Sequence, residues 1–93
     1  MADELNPEYI SQLRDASRLH ASGADAEALP LAERALAYAR HNVGPHPFTA
    51  AALNVVGHIY QAMARFSEAD AIWIELLGML RSADVEPDPS QVR

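Results

Sequence analysis

The chain has 93 residues, 49% of them hydrophobic, and its 13 acidic residues outnumber seven basic ones to give a net charge of −6. A chain of this length forms one small domain and has no room for a second independent core. The acidic balance argues against nucleic-acid binding, which rests mainly on contacts with phosphates. The sequence has no cysteine, which excludes disulfide scaffolds, cysteine-based zinc sites and thiol nucleophiles.

The N-terminal residues are acidic rather than basic, and no apolar run approaches the roughly 20 residues needed to cross a bilayer. We therefore expect a cytoplasmic protein without membrane association. All seven basic residues are arginine, as is typical of a GC-rich genome. The absence of lysine excludes Schiff-base chemistry and a phosphate-binding lysine.

Apolar residues recur at intervals of three and four along the chain, and no stretch alternates as a strand does, so we predict an all-α fold. Helix one starts at Asn6-Pro7-Glu8, which supplies an N-cap side chain, a first-position proline and an acid at the positive end of the dipole. Gly23 ends this helix. Helix two starts after Asp25 and reaches about His41.

Gly44, Pro45 and Pro47 interrupt the helical pattern, so residues 42–46 are predicted to form a connector and Pro47 to begin helix three. Ser67 followed by Asp70 gives helix four a start similar to a capping box. The helices are expected near residues 7–22, 26–41, 47–64 and 67–82, as two stacked antiparallel hairpins in one domain of residues 1–83. Residues 84–93 contain two prolines among polar residues and are predicted to be a disordered tail.

The sequence also resembles itself at an offset of 41 residues, which indicates an internal repeat covering about residues 7–42 and 47–83. Small residues fall in both copies where two antiparallel helices must cross closely. The superposed pairs are Ala16 with Gly57, Leu19 with Tyr60, Gly23 with Ala64, Glu27 with Glu68, Ala28 with Ala69 and Leu36 with Leu77.

Three stretches carry a resemblance to a known family. They are Leu53, Val56, Gly57 and Tyr60 followed by Ala64, Phe66, Ala69 and Trp73; Glu27-Ala28-Leu29-Pro30-Leu31; and Gly44-Pro45-His46-Pro47 leading to Leu53-Asn54. The pattern resembles a tetratricopeptide repeat, of the longer type found in kinesin light chains and in many bacterial proteins. The resemblance implies a helical adaptor or scaffold that binds a protein or peptide and has no catalytic activity.

One stripe of helix three is polar while the rest of that helix is apolar or small. A projection at roughly 100° per residue places Asn54, His58, Gln61 and Arg65 on this polar stripe. In the resembling family this side faces a concave groove that binds extended peptides, and Asn54 matches the first asparagine of a Leu-Asn-Asn segment. The alternative is that these side chains only solvate an exposed surface.

Helix four carries a wide apolar face that we predict packs on helix three. This face consists of Ala69, Ile72, Trp73, Leu76, Leu77 and Leu80. Ile74 projects away from it and Met79 lies on its flank. Because a helical array ends on a polar helix, these extra apolar residues indicate a missing neighbour. The alternative function is therefore a structural self-association unit, a homodimer that uses Ile74 and Met79.

The four histidines show no spacing typical of metal ligands, and no paired acid or nucleophilic serine accompanies them in sequence. Gly44-Pro45 lacks the further glycines and the lysine of a phosphate-binding loop. Arg14 and Arg18 are expected to form weak surface pairs with nearby acids. We predict no catalytic residue, metal or cofactor.

Overall fold

The structure is a computed structural model that describes residues 5–83. These residues form no strand; the elements are α1 (Pro7–Ala21), α2 (Asp25–Tyr38), a π-helical turn (Ala39–Val43), α3 (Pro47–Ala62) and α4 (Phe66–Ala83). α1 pairs with α2, α3 pairs with α4, and α3 also packs against α1 and α2. The predicted all-α fold of two helix hairpins is confirmed. The predicted tail at residues 84–93 lies outside the described residues.

α1 and α3 begin in the same way, with a side chain that caps the helix and a proline at the first helical position. The Asn6 side chain accepts a hydrogen bond from the Glu8 amide at 2.9 Å, as the sequence indicated. In α3 the capping residue is His46, whose Nδ1 accepts a hydrogen bond from the Phe48 amide at 2.9 Å. Histidine is not a usual N-cap residue, so the sequence predicts only a connector at His46.

α1 and α3 also end in the same motif, 41 residues apart. The Ala24 amide donates to the Leu19 carbonyl in one hairpin, and the Arg65 amide donates to the Tyr60 carbonyl in the other, both at 2.8 Å. The residue before each amide adopts a positive φ, 89° at Gly23 and 62° at Ala64. The offset found in the sequence therefore relates equivalent backbone positions in the two turns.

The end of the second helix differs from the expectation. α2 stops at Tyr38 rather than near His41, and the chain continues as a wider turn that Gly44 ends with a φ of 76°. The side chains of His41 and Asn42 donate hydrogen bonds to the carbonyls of Ala37 and Tyr38. These bonds give the last carbonyls of α2 partners beyond those of the backbone.

α3 supplies the centre of the core. Its Leu53, Val56 and Ile59 are the largest fully buried side chains among the described residues. α1 contributes Leu13 and Ala16. α3 also buries Phe48 and Ala52. The buried apolar residues of α2, the π-helical turn and α4 are Ala28, Leu29, Ala32, Ala35, Leu36, Ala39, Ala69 and Ile72.

The helices of the second hairpin approach closely at Gly57. A Cβ atom at this position would lie 2.6 Å from the Trp73 ring, so the ring can occupy its place only because residue 57 has no side chain. Ala69, which precedes Trp73 by four residues on α4, is also buried. The predicted packing is wrong for Leu77 and Leu80, which are 53% and 47% exposed, because α4 turns Ala69, Ile72 and Leu76 toward the core instead.

The two turns provide a matched pair of backbone variants. Ala64→Gly should raise the free energy of unfolding by about 1 kcal/mol, since glycine adopts a positive φ without a steric penalty. Gly23→Ala should lower it by a similar amount, although its side chain would meet open space. Urea unfolding of both variants gives the two changes in the free energy of unfolding. Changes of the same sign would contradict the positive φ assigned to the two turn residues.

The contact between α3 and α4 can be tested with two glycines that share a helical environment. Gly57→Ala should leave the protein about 1–3 kcal/mol less stable than Gly78→Ala, because only the first methyl group meets Trp73. Helix propensity rises equally in both variants, so the difference isolates the contact. Thermal or urea unfolding gives the two free energies, and equal values would show that α3 and α4 are not in close contact at Gly57.

Candidate functional site

The polar stripe lies on the side of α3 that the neighbouring helices leave open. Asn54, His58 and Gln61 are exposed on the helix itself. Arg65 is half-buried. It lies in the turn after the helix, because α3 ends at Ala62 and not near residue 64 as expected. The stripe therefore combines three side chains of the helix with Arg65, whose position is set by the turn between α3 and α4.

α3 presents these residues because its other sides are buried. Ala52 and Val56 face the core, and Gly57 faces Trp73 of α4. Since a helix rotates by about 100° per residue, positions 54, 58 and 61 fall on the remaining side. The polar character of the stripe thus follows from the packing of the hairpins.

His58 lies among rings from two other helices. Its ring meets the Trp73 ring edge-on, with centroids 5.1 Å apart, and lies 6.4 Å from the ring of His20 on α1. His20 in turn contacts the Asp25 carboxylate at 2.5 Å through Nδ1. The middle of the stripe is therefore held next to the C-terminal end of α1 and the start of α2.

Arg65 is fixed by two neighbours. Its guanidinium donates two hydrogen bonds to Glu68, at 2.6 and 2.7 Å, and its Cζ lies 4.8 Å from the centroid of the Tyr60 ring. The Tyr60 hydroxyl donates a hydrogen bond to Glu33 of α2 at 2.9 Å. This chain of contacts connects the first hairpin to the end of the stripe and orders the arginine.

The same contacts change the pKa values of these groups. Burial, followed by the hydrogen bond to the Glu33 carboxylate, raises the pKa of Tyr60. The hydrogen bond with Glu68 raises the pKa of Arg65, and the same bond lowers the pKa of Glu68. At neutral pH Tyr60 is therefore neutral, while Arg65 and Glu68 form an ion pair at the protein surface.

A shallow recess of about 510 Å³ lies on the α1 side of α3. Ile10, Ala21 and Phe48 give it apolar walls, and Arg14 and Ser17 add polar groups. α1 and α3 lie side by side here with their C-terminal ends together, as the contact of His20 with His58 shows. The polar stripe and this recess together form the surface shared by the two helices.

Residues 5–83 contain no group of three or more His, Cys, Asp or Glu side chains arranged to hold a metal ion. His41 and His46 make hydrogen bonds to the backbone of their own segment. Within the described residues, no helix has the length and apolar character needed to span a bilayer.

The four stripe residues predicted from the sequence do share one region, and the structure adds groups to it. Glu68 could have been recognised from its position three residues after Arg65. Trp73 belongs to the apolar face of α4 that was predicted to pack on α3, and its ring lies against Gly57. Glu33 lies 27 residues from Tyr60 and on another helix, and nothing in the sequence indicates their pairing.

A comparison with known families finds a match over the second hairpin. Residues 49–83 match the family model of a tetratricopeptide repeat. The matched segment covers nearly all of α3 and all of α4. Tetratricopeptide repeats generally mediate interactions between proteins, and the family is not a catalytic one. No curated protein and no solved structure matches the sequence.

The raised pKa of Tyr60 gives a prediction at alkaline pH. Its folded-state pKa exceeds the unfolded value of about 10, so its contribution to stability is complete below that pH and is lost as the pH rises through the folded pKa. The phenolate absorbance that Tyr60→Phe removes should accordingly titrate above pH 10. A difference spectrum between the two proteins measures this midpoint, and a value at or below 10 would contradict the burial of the hydroxyl.

Proposed function

We propose that this protein is a non-catalytic interaction module that holds a segment of another protein along the polar stripe. The observation that carries the proposal is that α3 is buried on its other sides and leaves this stripe between α1 and α4. The match of residues 49–83 to a tetratricopeptide repeat supports a role in protein binding. No acidic residue belongs to the stripe, so a bound main chain meets neutral and basic groups.

The amide side chains of the stripe suit an extended peptide. Asn54 and Gln61 each donate and accept hydrogen bonds, which is what a peptide main chain requires. Their positions are seven residues apart, or about 10 Å along the helix axis, and this equals about three residues of extended chain. One bound segment can therefore contact both amides.

Arg65 and the recess provide groups at the two sides of such a segment. Two N–H groups of Arg65 are used by Glu68, which leaves others to donate to a partner carbonyl or carboxylate. Because Arg65 is already ordered, binding costs less side-chain entropy there. The apolar walls of the recess at Ile10 and Phe48 fit an apolar side chain of the segment.

The proposed role extends from the polar stripe to the whole domain. We propose one domain of residues 1–83 with two repeats of the kinesin-light-chain type, acting as a cytoplasmic bacterial adaptor or scaffold without enzymatic activity, cofactor, nucleic acid or membrane partner. The equivalent turns at Gly23 and Ala64 support a repeat in the first hairpin as well as the second.

A peptide selected from a random-sequence library provides the test. Asn54→Ala and Arg65→Ala should each weaken its binding by about 1–3 kcal/mol, because a buried polar group of the peptide loses its partner. The helix content should stay unchanged, since the removed groups lie at the surface. Isothermal titration with each variant gives the affinities.

The matched control is Arg34→Ala, which removes an exposed arginine from α2, away from the stripe. This variant should bind the peptide like the wild type. Equal losses in Arg65→Ala and Arg34→Ala, or full binding by both stripe variants, would contradict the proposed site.

Self-association is a second candidate because α4 has large exposed apolar residues. Ile74 is 70% exposed, the largest value among the large apolar residues of the described chain. Met79, the other residue proposed for this contact, is partly buried and lines a pocket of about 440 Å³ with Pro47 and Ala50. The two lie about 140° apart around the helix, so Ile74 and its exposed neighbours carry this candidate.

A further inference from the structure

The outer side of α4 carries an exposed stripe with an apolar middle and opposite charges at its ends. This outer stripe consists of Asp70, Ile74, Leu77 and Arg81, all exposed. Intervals of four, three and four residues keep them on one side of the helix. Within residues 5–83, neither Asp70 nor Arg81 has an ion-pair partner.

The order of these residues makes the stripe complementary to itself. The intervals of four, three and four read the same in both directions along the chain. When two such helices lie antiparallel, Asp70 falls opposite Arg81 of the partner subunit, and Ile74 falls opposite Leu77 of the partner subunit. A two-fold axis produces each contact twice, which is the defining property of an isologous interface.

We propose that the outer stripe binds a second copy of this chain, with the two α4 helices antiparallel and Asp70 paired with Arg81 of the partner subunit. This inference rests on the self-association candidate and adds its partner, orientation and register. The apolar pair at the centre drives association, and the charged pairs at the ends fix the orientation.

Other arrangements of two copies fit the charges less well. A parallel pair of α4 helices would place Asp70 against Asp70 and Arg81 against Arg81, which is repulsive at both ends. A head-to-tail contact with α1 would cover Ile74 with a helix whose exposed surface includes Asp15 and Arg18. Burying such charges against an apolar side chain is unfavourable.

The remaining charged group on the middle of α4 is already used within the chain. Glu75 accepts two hydrogen bonds from Arg40, at 2.9 and 2.5 Å, across the hairpins. This pairing raises the pKa of Arg40. It lies about 100° around α4 from Ile74, so it leaves the outer stripe open to a second copy.

Charge exchange at the two ends tests the register. Asp70→Arg and Arg81→Asp should each weaken dimerisation at least about tenfold, because the two-fold axis turns both end pairs into repulsive ones. The double variant Asp70→Arg/Arg81→Asp restores opposite charges and should dimerise within about threefold of the wild type. Sedimentation equilibrium over a range of protein concentrations gives the dissociation constants.

Arg34→Asp is the control, since it reverses an exposed arginine on α2 and should leave the dimer unchanged. Ile74→Asp should abolish the dimer while circular dichroism shows unchanged helix content, because the side chain is exposed in the monomer. A wild-type protein that stays monomeric at every concentration would overturn both self-association and this inference. A dimer whose double variant is no stronger than the single ones would overturn the antiparallel register alone.

Discussion

The structure depends on how closely α3 approaches α4 at Gly57. The missing side chain lets the Trp73 ring lie against the backbone of α3. His58, the next residue, then meets the edge of the same ring. A single small residue thus determines both the packing of the hairpin and the surroundings of the polar stripe.

The burial of α3 separates stability from recognition. Leu53, Val56 and Ile59 are fully buried, and each contributes about 1.5–3 kcal/mol through the hydrophobic effect. Asn54 and Gln61 alternate with them along the helix but are exposed, so changes there alter the surface and leave the core intact. Substitutions on the polar stripe can therefore change the proposed binding surface while the fold is kept.

Much of the fold could be predicted from local sequence signals. The cap at Asn6, the first-position proline Pro47 and the stop at Gly23 each act within a few residues. The 41-residue offset also placed Ala64 opposite Gly23, and their shared positive φ follows from that correspondence. These features were accessible because short-range backbone geometry decides them.

The features that escaped prediction depend on distant or irregular parts of the chain. Arg40 and Glu75 pair across 35 positions, and their side chains meet only because the hairpins stack. The wide turn after Tyr38 has no characteristic residue pattern. Arg65 was predicted to belong to α3, yet the helix ends earlier and the arginine owes its position to Glu68 and Tyr60.

The two hairpins show why an apolar pattern cannot by itself predict what is buried. Leu36 and Ala39 are covered in the first hairpin, being 4% and 0% exposed. The residues 41 positions later, Leu77 and Leu80, are 53% and 47% exposed, because no helix of the described chain covers them as α3 covers α2. The apolar pattern of α4 is thus that of a helix that requires a covering neighbour. The proposed second copy on the outer stripe would meet this requirement at Leu77. Because that contact uses α4, it would leave the polar stripe on α3 open, so a dimer would present two proposed binding surfaces and would hold a partner with two matching segments more tightly than either surface alone.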